Sequence, residues 1–357
     1  MSEPSKAKTL FVTGGLGFIG SNFIQYWLSR HDDSHRVVVL DAMTYACNPI
    51  TVQRLSADAR LHVVKGTIGK QTLVETIFDT YRPTAVINFA AETHVDRSID
   101  DMSPFIETNV VDLAALLTEV KRYWQRYSKE LPEFRFVQVS TDEVFGSRYT
   151  LPPAESRDIY HTGSPYSASK AAGDHLADAF FKTYGLPTIV THGANTYGPY
   201  QFPEKLIPMA ICNGLENKKI PVYGSGLQRR EWLHVYDHCT ALQLLLEKGV
   251  PGTHYNIGAQ YNRTNYSLLN DICKLLDRRD WFGTPHKNLL TFVEDRPGHD
   301  FEYSMNSAAM YELGWNNSIP HGIGLITTLE WYADNKDWVK AARQQYDGRR
   351  LGLSTST

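Results

Sequence analysis

The sequence predicts an α/β protein in which a doubly wound parallel sheet is accompanied by a smaller, mixed α/β lobe. Apolar runs of strand length alternate with longer amphipathic segments over the first half of the chain, as expected for parallel strands joined by crossover helices. After about Gly198 the segments become shorter and richer in proline, glycine and aromatic residues. We therefore expect a first domain at 1–197, a second lobe mainly at 198–345 that can return strands or helices to the first, and a flexible tail at 346–357.

The individual elements follow from the length and periodicity of each segment. Helical patterns begin at Gly17, Asp101 and Tyr166, and two further helices are expected at Pro203–Leu215 and Tyr266–Leu276. The carboxyl ends of the strands form the edge at which such sheets bind ligands. The predicted strands are Thr9–Thr13, Val37–Asp41, His62–Lys65, Ala85–Ala90, Phe134–Ser140 and Thr188–His192.

Composition excludes several classes of function. The chain has 357 residues, of which 42% are hydrophobic, and its 36 basic and 39 acidic residues give a net charge of -3, which provides no footprint for a nucleic acid or an anionic membrane. No apolar stretch approaches the ~20 residues that span a bilayer, and the first residues lack the apolar core of a secretory signal. The four cysteines form no CxxC pair, so we expect reduced thiols, no metal site and a cytoplasmic location. They are Cys47, Cys212, Cys239 and Cys273.

Three glycines, Gly14, Gly17 and Gly20, follow the first predicted strand and open a helix. In a dinucleotide-binding turn the first glycine permits the tight turn, the second lets the backbone approach a pyrophosphate, and the third lets helix and strand pack closely. The amino end of the helix adds free N–H groups and a partial positive charge. A tight turn that binds nothing is the alternative interpretation. The pattern predicts a Rossmann-type dinucleotide site.

Asp41 ends the next predicted strand, about 20 residues beyond the last of these glycines. A carboxylate at this position accepts hydrogen bonds from both ribose hydroxyls and repels a 2′-phosphate. The alternative is a solvated carboxylate at a strand end. Asp41 therefore predicts NAD rather than NADP.

Tyr166 and Lys170 are four residues apart, which places a phenol and an ammonium on one face of a helix. A cation beside a tyrosine lowers the phenol pKa and creates a proton acceptor for alcohol oxidation. Taken alone the spacing is weak, because many exposed helices carry it.

Thr141, Asp142 and Glu143 give the Tyr–Lys pair a context, because they follow a strand of the same sheet. Adjacent acids in an extended segment point in different directions, so one carboxyl can be protonated while the other is ionised. A general acid and a general base would result. A turn that only needs polar residues is the alternative.

The chain resembles the dTDP-glucose 4,6-dehydratases of the extended short-chain dehydrogenase/reductase family from about Thr9 to Trp315. The glycine turn and the Tyr–Lys pair mark only the superfamily. The Thr-Asp-Glu triplet and the YGPYQFPEKLIP segment are specific to the dehydratases. The segments that carry the resemblance are TGGLGFIGSN, NFAAETHVDRSI, STDEVFG, SPYSASKAAGDHL, NTYGPYQFPEKLIP and VEDRPGHD.

The resemblance implies a lyase reaction in three steps, with NAD bound tightly throughout. Tyr166, helped by Lys170 and Thr141, takes the proton of the sugar C4 hydroxyl while a hydride passes from C4 to NAD. Glu143 then removes the C5 proton, and Asp142 protonates the departing C6 hydroxyl so that water leaves. The hydride returns to C6, which gives a 4-keto-6-deoxy sugar.

The same resemblance assigns two sets of contacts. Pro221 and Tyr223 would flank the nucleotide base, and Arg230 and Arg296 would bind the diphosphate, since a guanidinium presents a forked donor to phosphate oxygens. A surface ion pair is the alternative for each arginine. The cofactor set is Gly14, Gly17, Phe18, Ile19, Gly20, Asp41, Thr44, Thr67, Ile68, Ala90, Ala91, Thr93, Thr108, Tyr166 and Lys170. The substrate set is Thr93, His94, Thr141, Asn195, Lys205, Leu206, Pro221, Tyr223, Arg230, Asn265, Arg296 and His299.

The chain departs from the family pattern near the cofactor and the nucleotide. Thr67 stands where the family has the aspartate of Gly-Asp-Ile, so a carboxylate expected at the adenine amino group is missing there. Thr67 can still accept a hydrogen bond. Other departures are Thr196, Gly193 and the pair Phe301-Glu302. These changes leave open whether the base is thymine or uracil.

Two other functions fit part of the pattern. A nucleotide-sugar 4-epimerase would use NAD with Tyr166 and Lys170 but not the acid pair, and a silent NAD- or sugar-nucleotide-binding protein would keep only the fold. By resemblance, helices at Ser103–Arg126 and Tyr166–Tyr184 would form a four-helix bundle with a second subunit. Their apolar positions can face that partner or the core; these are Leu113, Leu116, Leu117, Phe180 and Phe181.

Overall fold

The computed structural model describes residues 8–279 and 283–345. The tail predicted at 346–357 lies outside the described residues. None of the helices within these two ranges is both long and apolar enough to cross a membrane.

Within residues 8–279 and 283–345, twelve strands form one large sheet and two small ones. They are β1 (Thr9–Thr13), β2 (Arg36–Asp41), β3 (Leu61–Lys65), β4 (Ala85–Asn88), β5 (Phe136–Thr141), β6 (Thr188–Gly193), β7 (Asn195–Tyr197), β8 (Ile220–Tyr223), β9 (Arg229–His234), β10 (His254–Ile257), β11 (Asn262–Thr264) and β12 (Leu290–Val293). The large sheet has the order β10-β6-β5-β4-β1-β2-β3, and all its strands are parallel. From β1 the chain runs to β2 and β3 on one side and then to β4, β5 and β6 on the other, so the sheet is doubly wound, as predicted.

The helices cover both faces of the large sheet and build the second lobe. They are α1 (Phe18–Arg30), α2 (Pro49–Leu55), α3 (Gln71–Tyr81), α4 (Val95–Asp100), α5 (Ser103–Ile106), α6 (Leu113–Tyr127), α7 (Pro165–Tyr184), α8 (Leu206–Leu215), α9 (Val235–Lys248), α10 (Asn265–Arg279), α11 (Ala308–Glu312), α12 (His321–Asp334) and α13 (Lys336–Arg343). A π-helical segment, Glu107–Asp112, joins α5 to α6.

Local sequence explains why the central strands and the helix α7 form where they do. The run Val37–Leu40 in β2 is fully buried, as expected for a parallel strand covered by helices on both faces. In α7, Ser164 and Ser167 form a capping box, Pro165 occupies the first turn, and Gly185 ends the helix with a φ of 72°. These signals fix the position of the residues that α7 brings to the sheet edge.

The second lobe contains the sheet β11-β9-β7, the pair β12-β8 and the helices α8, α10, α12 and α13. Its core is separate from the two cores that lie on either face of the large sheet. The chain does not leave the large sheet for good after β6, because α9 packs on α1 and β10 pairs with β6. The predicted boundary at residue 198 stays a prediction.

Some element ends differ from those predicted. Strand β4 ends at Asn88 rather than Ala90, because the chain there turns along the edge of the sheet beside the backbone of Gly14. Helix α8 begins at Leu206 rather than Pro203, since the Lys205 N–H donates to the Phe202 carbonyl at 3.2 Å and closes a turn first. The acid pair lies in a 3₁₀ turn, Asp142–Phe145, rather than in an extended segment.

Candidate active site

A cavity of about 350 Å³ follows the carboxyl edge of the large sheet. Every residue predicted to contact a dinucleotide lines it, as do all five predicted catalytic residues. The catalytic residues are Thr141, Asp142, Glu143, Tyr166 and Lys170. The cavity therefore brings together residues from the ends of six strands of the large sheet and from the loops and helices that follow them.

The glycine turn forms the floor of this cavity. Gly14 has a φ of +64°, and a Cβ on it would lie 2.5 Å from the Ala90 backbone nitrogen, so only glycine fits. A Cβ on Gly17 would meet only the Gly14 carbonyl oxygen, at 3.4 Å. Gly17 is also the N-cap of α1 and has no side chain to bind the first N–H groups of the helix. The turn is therefore an open cradle that an anion can approach.

Asp41 ends β2 and is held by two backbone amides. Its Oδ2 accepts from the Leu16 N–H at 2.9 Å, and its Oδ1 accepts from the Met43 N–H at 2.8 Å. Burial raises the pKa of Asp41, and these two hydrogen bonds oppose the rise. Because each carboxylate oxygen has a second lone pair, Asp41 can still accept from a pair of hydroxyls in the cavity.

Thr141, Asp142 and Glu143 occupy the transition from β5 to the 3₁₀ turn. The Thr141 hydroxyl accepts from the Glu143 N–H at 3.3 Å and donates to Asp142 Oδ1 at 3.2 Å. Asp142 Oδ2 is buried and has no hydrogen-bond partner within residues 8–279 and 283–345. The turn points the two acids into different surroundings.

The two acids differ in their electrostatic environment. Burial, then the charge of Glu143, raise the pKa of Asp142 well above its usual range. Burial also raises the pKa of Glu143, but Arg296, Arg230 and Lys205 all act to lower it. Glu143 thus has the cations that stabilise a carboxylate, whereas Asp142 favours the protonated form.

Tyr166 and Lys170 project from the first two turns of α7. The Lys170 ammonium donates to the Val139 carbonyl at 2.7 Å, and burial lowers its pKa while Asp174 raises it. Burial, then Glu143, raise the pKa of the Tyr166 phenol, and a hydrogen bond with Thr141 opposes the rise. The sequence predicted a lowered phenol pKa, and the structure gives the opposite direction because the whole site is buried.

A second cavity, of about 180 Å³, lies between the sheet edge and the second lobe. Glu143, Asn195 and Lys205 line both cavities, so the two lie side by side. The predicted substrate residues around the second cavity are His94, Asn195, Lys205, Leu206, Tyr223, Arg230, Asn265, Arg296 and His299. Thr93 and Thr141 line the first cavity instead, and Pro221 lines neither, although its neighbour Val222 lines the second.

Polar atoms without partners surround this second cavity. Arg296 Nε, Asn195 Oδ1, Asn265 Oδ1 and Trp232 Nε1 are buried and lack a hydrogen-bond partner in the described part of the chain. Buried polar groups are rarely left unpaired, so such a cluster indicates a polar ligand. Arg230 differs, because its guanidinium donates to the carbonyls of residues 229, 300 and 301.

The histidines of the second cavity are neutral. Burial, then the charges of Lys205, Arg97 and Arg296, lower the pKa of His94 to about 2. Burial, then Arg296 and Arg230, lower the pKa of His299 to about 4. Both imidazoles can therefore accept or donate a hydrogen bond in this cationic surrounding without adding charge.

Sequence reasoning missed several residues of the site. Glu204 is buried in contact with Tyr45, His94 and Arg97, and it lines both cavities. It lies inside the quoted YGPYQFPEKLIP segment, so its position beside Lys205 was an available signal. Asp112 also lines the first cavity, but no sequence pattern pointed to it. No cluster of three His, Cys, Asp or Glu side chains that could hold a metal ion occurs in the described ranges.

Known proteins match the chain over nearly its whole length. A family model described as GDP-mannose 4,6 dehydratase matches residues 11–322. The dTDP-glucose 4,6-dehydratase of Xanthomonas campestris pv. campestris (strain B100) is 46% identical over 97% of this chain and 99% of that protein. The dTDP-glucose 4,6-dehydratase of Escherichia coli is 41% identical over 96% of this chain and 99% of that protein.

Solved structures give the same result. The dTDP-glucose 4,6-dehydratase of Bacillus anthracis str. Ames in complex with NAD has a TM-score of 0.84 and 40% identity, and covers 94% of this chain and 100% of its own. The UDP-glucose 4-epimerase of Thermotoga maritima has a TM-score of 0.80 at 24% identity, which shows a shared fold alone.

The raised pKa of Asp142 predicts a pH-dependent cost in stability. Because the folded protein binds this proton more tightly than the unfolded chain does, stability falls as the pH rises through the folded pKa. Asp142→Asn should therefore raise the melting temperature by about 2–4 °C near pH 8, and by less near pH 5. Calorimetry at both pH values measures the difference. Asp334→Asn, at an exposed position, is the control. A melting temperature for Asp142→Asn at or below the wild-type value at both pH values would contradict the assignment.

Proposed function

We propose that this chain, which belongs to the dTDP-glucose 4,6-dehydratase family, removes water from dTDP-glucose or from another nucleoside diphosphate glucose such as UDP-glucose. The product is the 4-keto-6-deoxy sugar. The observation that carries the proposal is the position of Glu143, which lines both cavities beside Asp142 and Tyr166. A base, an acid and a tyrosine meet there, beside the first cavity and the second, polar one. These groups make up a hydro-lyase site.

We propose NAD as the resident cofactor of the first cavity. The open cradle at Gly17 and the doubly held carboxylate of Asp41 fit a pyrophosphate and a ribose diol. When bound, NAD supplies a hydride acceptor and later a donor, together with a positive charge in the buried site. That charge would lower the phenol pKa that burial of Tyr166 raises.

Tyr166 is the proposed base for the sugar C4 hydroxyl. Thr141 opposes the rise in the phenol pKa, and Lys170 is held by a hydrogen bond to the Val139 carbonyl and by the charge of Asp174. Removal of this hydroxyl proton, together with loss of the C4 hydrogen as a hydride to the acceptor that a bound NAD would supply, would give a ketone at C4. The ketone acidifies the neighbouring C5 proton and prepares the elimination.

Glu143 and Asp142 are the proposed pair for the elimination. Glu143, with three cations acting on it, is the carboxylate that takes the C5 proton. Asp142, whose pKa is raised well above its usual range, keeps the proton that the leaving C6 hydroxyl needs. The elimination balances, because Glu143 gains the C5 proton while Asp142 gives one to the water that departs. Return of the hydride to C6 would then require the proton held by Glu143 to go back to C5.

The second cavity is the proposed site of the sugar nucleotide. The unpaired Arg296 Nε and the nearby Arg230 and Lys205 suit a diphosphate, and the unpaired amide oxygens of Asn195 and Asn265 suit hydroxyl or N–H donors. Tyr223 also lines this cavity, and its ring can stack on a flat base. Thymine and uracil would both fit this description.

Incubation with dTDP-glucose and with UDP-glucose tests the reaction directly. We expect loss of one water by mass spectrometry, with the absorbance of a 4-keto sugar in alkali, from at least one substrate. The substrate with the higher kcat/KM identifies the base. An unchanged mass with inversion at C4 would instead mean an epimerase, and no turnover would leave a binding protein; either result would contradict the proposal.

Substitutions at the acid pair should separate the steps. Glu143→Gln and Asp142→Asn should lower formation of the 4-keto-6-deoxy product by about 10²–10⁴-fold, while C4 oxidation persists and reduced cofactor accumulates. Tyr166→Phe should prevent both. Stopped-flow absorbance of the reduced cofactor, with product measured in parallel, gives both quantities. Controls are Glu330→Gln and Tyr149→Phe, at exposed positions. Equal loss of both signals in all three variants would contradict the division of roles.

A homodimer through α5–α6 and α7 also belongs to this proposal. Leu113, Leu116 and Leu117 are buried in the core, so they cannot form the outer face. Met102, Ile106 and Val111 are instead 52%, 37% and 50% exposed. Such neighbouring exposed apolar side chains support a contact with a second copy.

Val111→Glu should shift the dimer toward monomer, since it puts like charges near a two-fold axis. Sedimentation velocity measures the ratio of dimer to monomer. Ile323→Glu, on the exposed face of α12, is the matched control and should leave the dimer intact. A monomeric wild-type protein, or a dimer unaffected by Val111→Glu, would contradict this interface.

We also propose a cytoplasmic location. The four cysteines are free thiols, three of them buried, which suits a reducing compartment. Cell fractionation with immunodetection tests this proposal, and recovery outside the cytosolic fraction would contradict it.

A further inference from the structure

The first cavity extends beyond Asp41 toward the edge of the sheet. The glycine turn follows β1, Asp41 ends β2, and Thr67 follows β3, which is the edge strand. A dinucleotide with its pyrophosphate at the turn and its ribose at Asp41 therefore places its adenine at the end of β3. Thr67, Ile68, Thr108 and Asp112 line that end.

Asp112 reaches this end through an irregular backbone. It is the last residue of the π-helical segment, Glu107–Asp112, between α5 and α6. A π-helical turn changes which side chains of a helix face a neighbour, and such turns are frequent at functional sites. The carboxyl of Asp112 meets Gly69, just past β3, where a Cβ would lie 1.8 Å from Asp112 Oδ1. The absence of a side chain at Gly69 is what gives the carboxyl its place.

The surroundings of Asp112 favour a hydrogen-bond donor as its partner. Its side chain is half-buried. Burial and the nearby charge of Glu107 raise its pKa, and the Gly69 N–H acts in the opposite direction. A neutral N–H donor from a ligand would offset the desolvation cost of the carboxylate without adding a charge.

We propose that Asp112 accepts a hydrogen bond from the exocyclic amino group of the adenine, and so selects an adenine dinucleotide. The inference rests on the proposed NAD site. It also accounts for Thr67, which lacks the carboxylate expected there by resemblance: the carboxylate comes from the helix side of the cavity instead of the strand side. Asp112 is thus a specificity residue for the cofactor and takes no part in proton transfer.

The chemistry predicts discrimination against one close analogue. Nicotinamide hypoxanthine dinucleotide differs from NAD in the base, where a carbonyl replaces the amino group at C6 and N1 gains a hydrogen. A carboxylate accepts from the amino group but repels the carbonyl. An asparagine at position 112 can turn its amide and donate to the carbonyl.

Competition for the cofactor site tests this directly. Purified holoenzyme is equilibrated with mixtures of NAD and the hypoxanthine analogue, freed of unbound dinucleotide and denatured, and the two are then quantified by chromatography. Wild-type protein should prefer NAD by about tenfold to a hundredfold, the range of one hydrogen bond to a charged group. Asp112→Ala should bring the ratio close to one, and Asp112→Asn to one or below.

Three further variants locate the effect. Gly69→Ala keeps the Asp112 carboxyl but puts a methyl group where that carboxyl now lies, so this variant should also weaken the preference for NAD. Glu75→Gln removes a charge from an exposed position of α3 and should leave the preference unchanged. Thr67→Val should also leave it largely unchanged. Melting curves of each loaded variant check that it folds.

The wild-type ratio by itself can overturn the inference, if it lies within about twofold of one. A wild-type ratio retained in Asp112→Ala and Asp112→Asn, or lost only in Thr67→Val, would overturn it as well. Failure to bind either dinucleotide would remove the NAD site and the inference together. The competition experiment contains no sugar nucleotide, so its result does not depend on the dehydration reaction. A protein that binds NAD selectively but dehydrates no sugar would support this inference and refute the proposed function.

Discussion

Burial of ionisable groups at the carboxyl edge of the sheet is the constraint on which the rest of the site depends. Desolvation is the largest influence on the pKa of Asp142, Glu143, Tyr166 and Lys170, and in each case it favours the neutral form. Desolvation alone would therefore leave all four side chains uncharged. Each charge that the chemistry needs must come from a neighbour placed close by, so the surrounding fold determines which acid holds its proton.

The second lobe supplies most of those neighbours. Arg230, Arg296 and Lys205 all lie beyond β6 in the sequence, yet they act on Glu143 at the end of β5. Direct ion pairs also join this part of the chain to α4. Arg296 pairs with Asp96 at 2.9 Å, and Glu204 contacts Arg97. The reactive state of the acid pair is therefore a property of both lobes together.

The sequence predicted what depends on short-range pattern. The glycine turn, Asp41 and the first turns of α7 are local, and their positions around one cavity follow from the parallel sheet. The direction of the Tyr166 pKa shift could not be predicted, since it depends on how many elements cover the phenol. Asp112 was equally out of reach: its position requires both a π-helical turn and the missing side chain of Gly69, which is 43 residues away in the chain. Pro221 stays a prediction, because it lies on the same strand as Val222 and Tyr223 of the second cavity but does not itself line that cavity.

Strand β10 has a consequence for how the chain acquires its shape on the ribosome. It is the outermost strand of the large sheet and pairs with β6, although β7, β8 and β9 lie between them in the sequence. Synthesis from the amino terminus therefore delivers much of the second lobe before the last piece of the first sheet exists. Until Ile257 has emerged, β6 is an uncovered edge whose free amides and carbonyls can pair with another nascent chain. A translation pause before that point would prolong the exposure, and a chaperone that shields strand edges would be needed most in this interval.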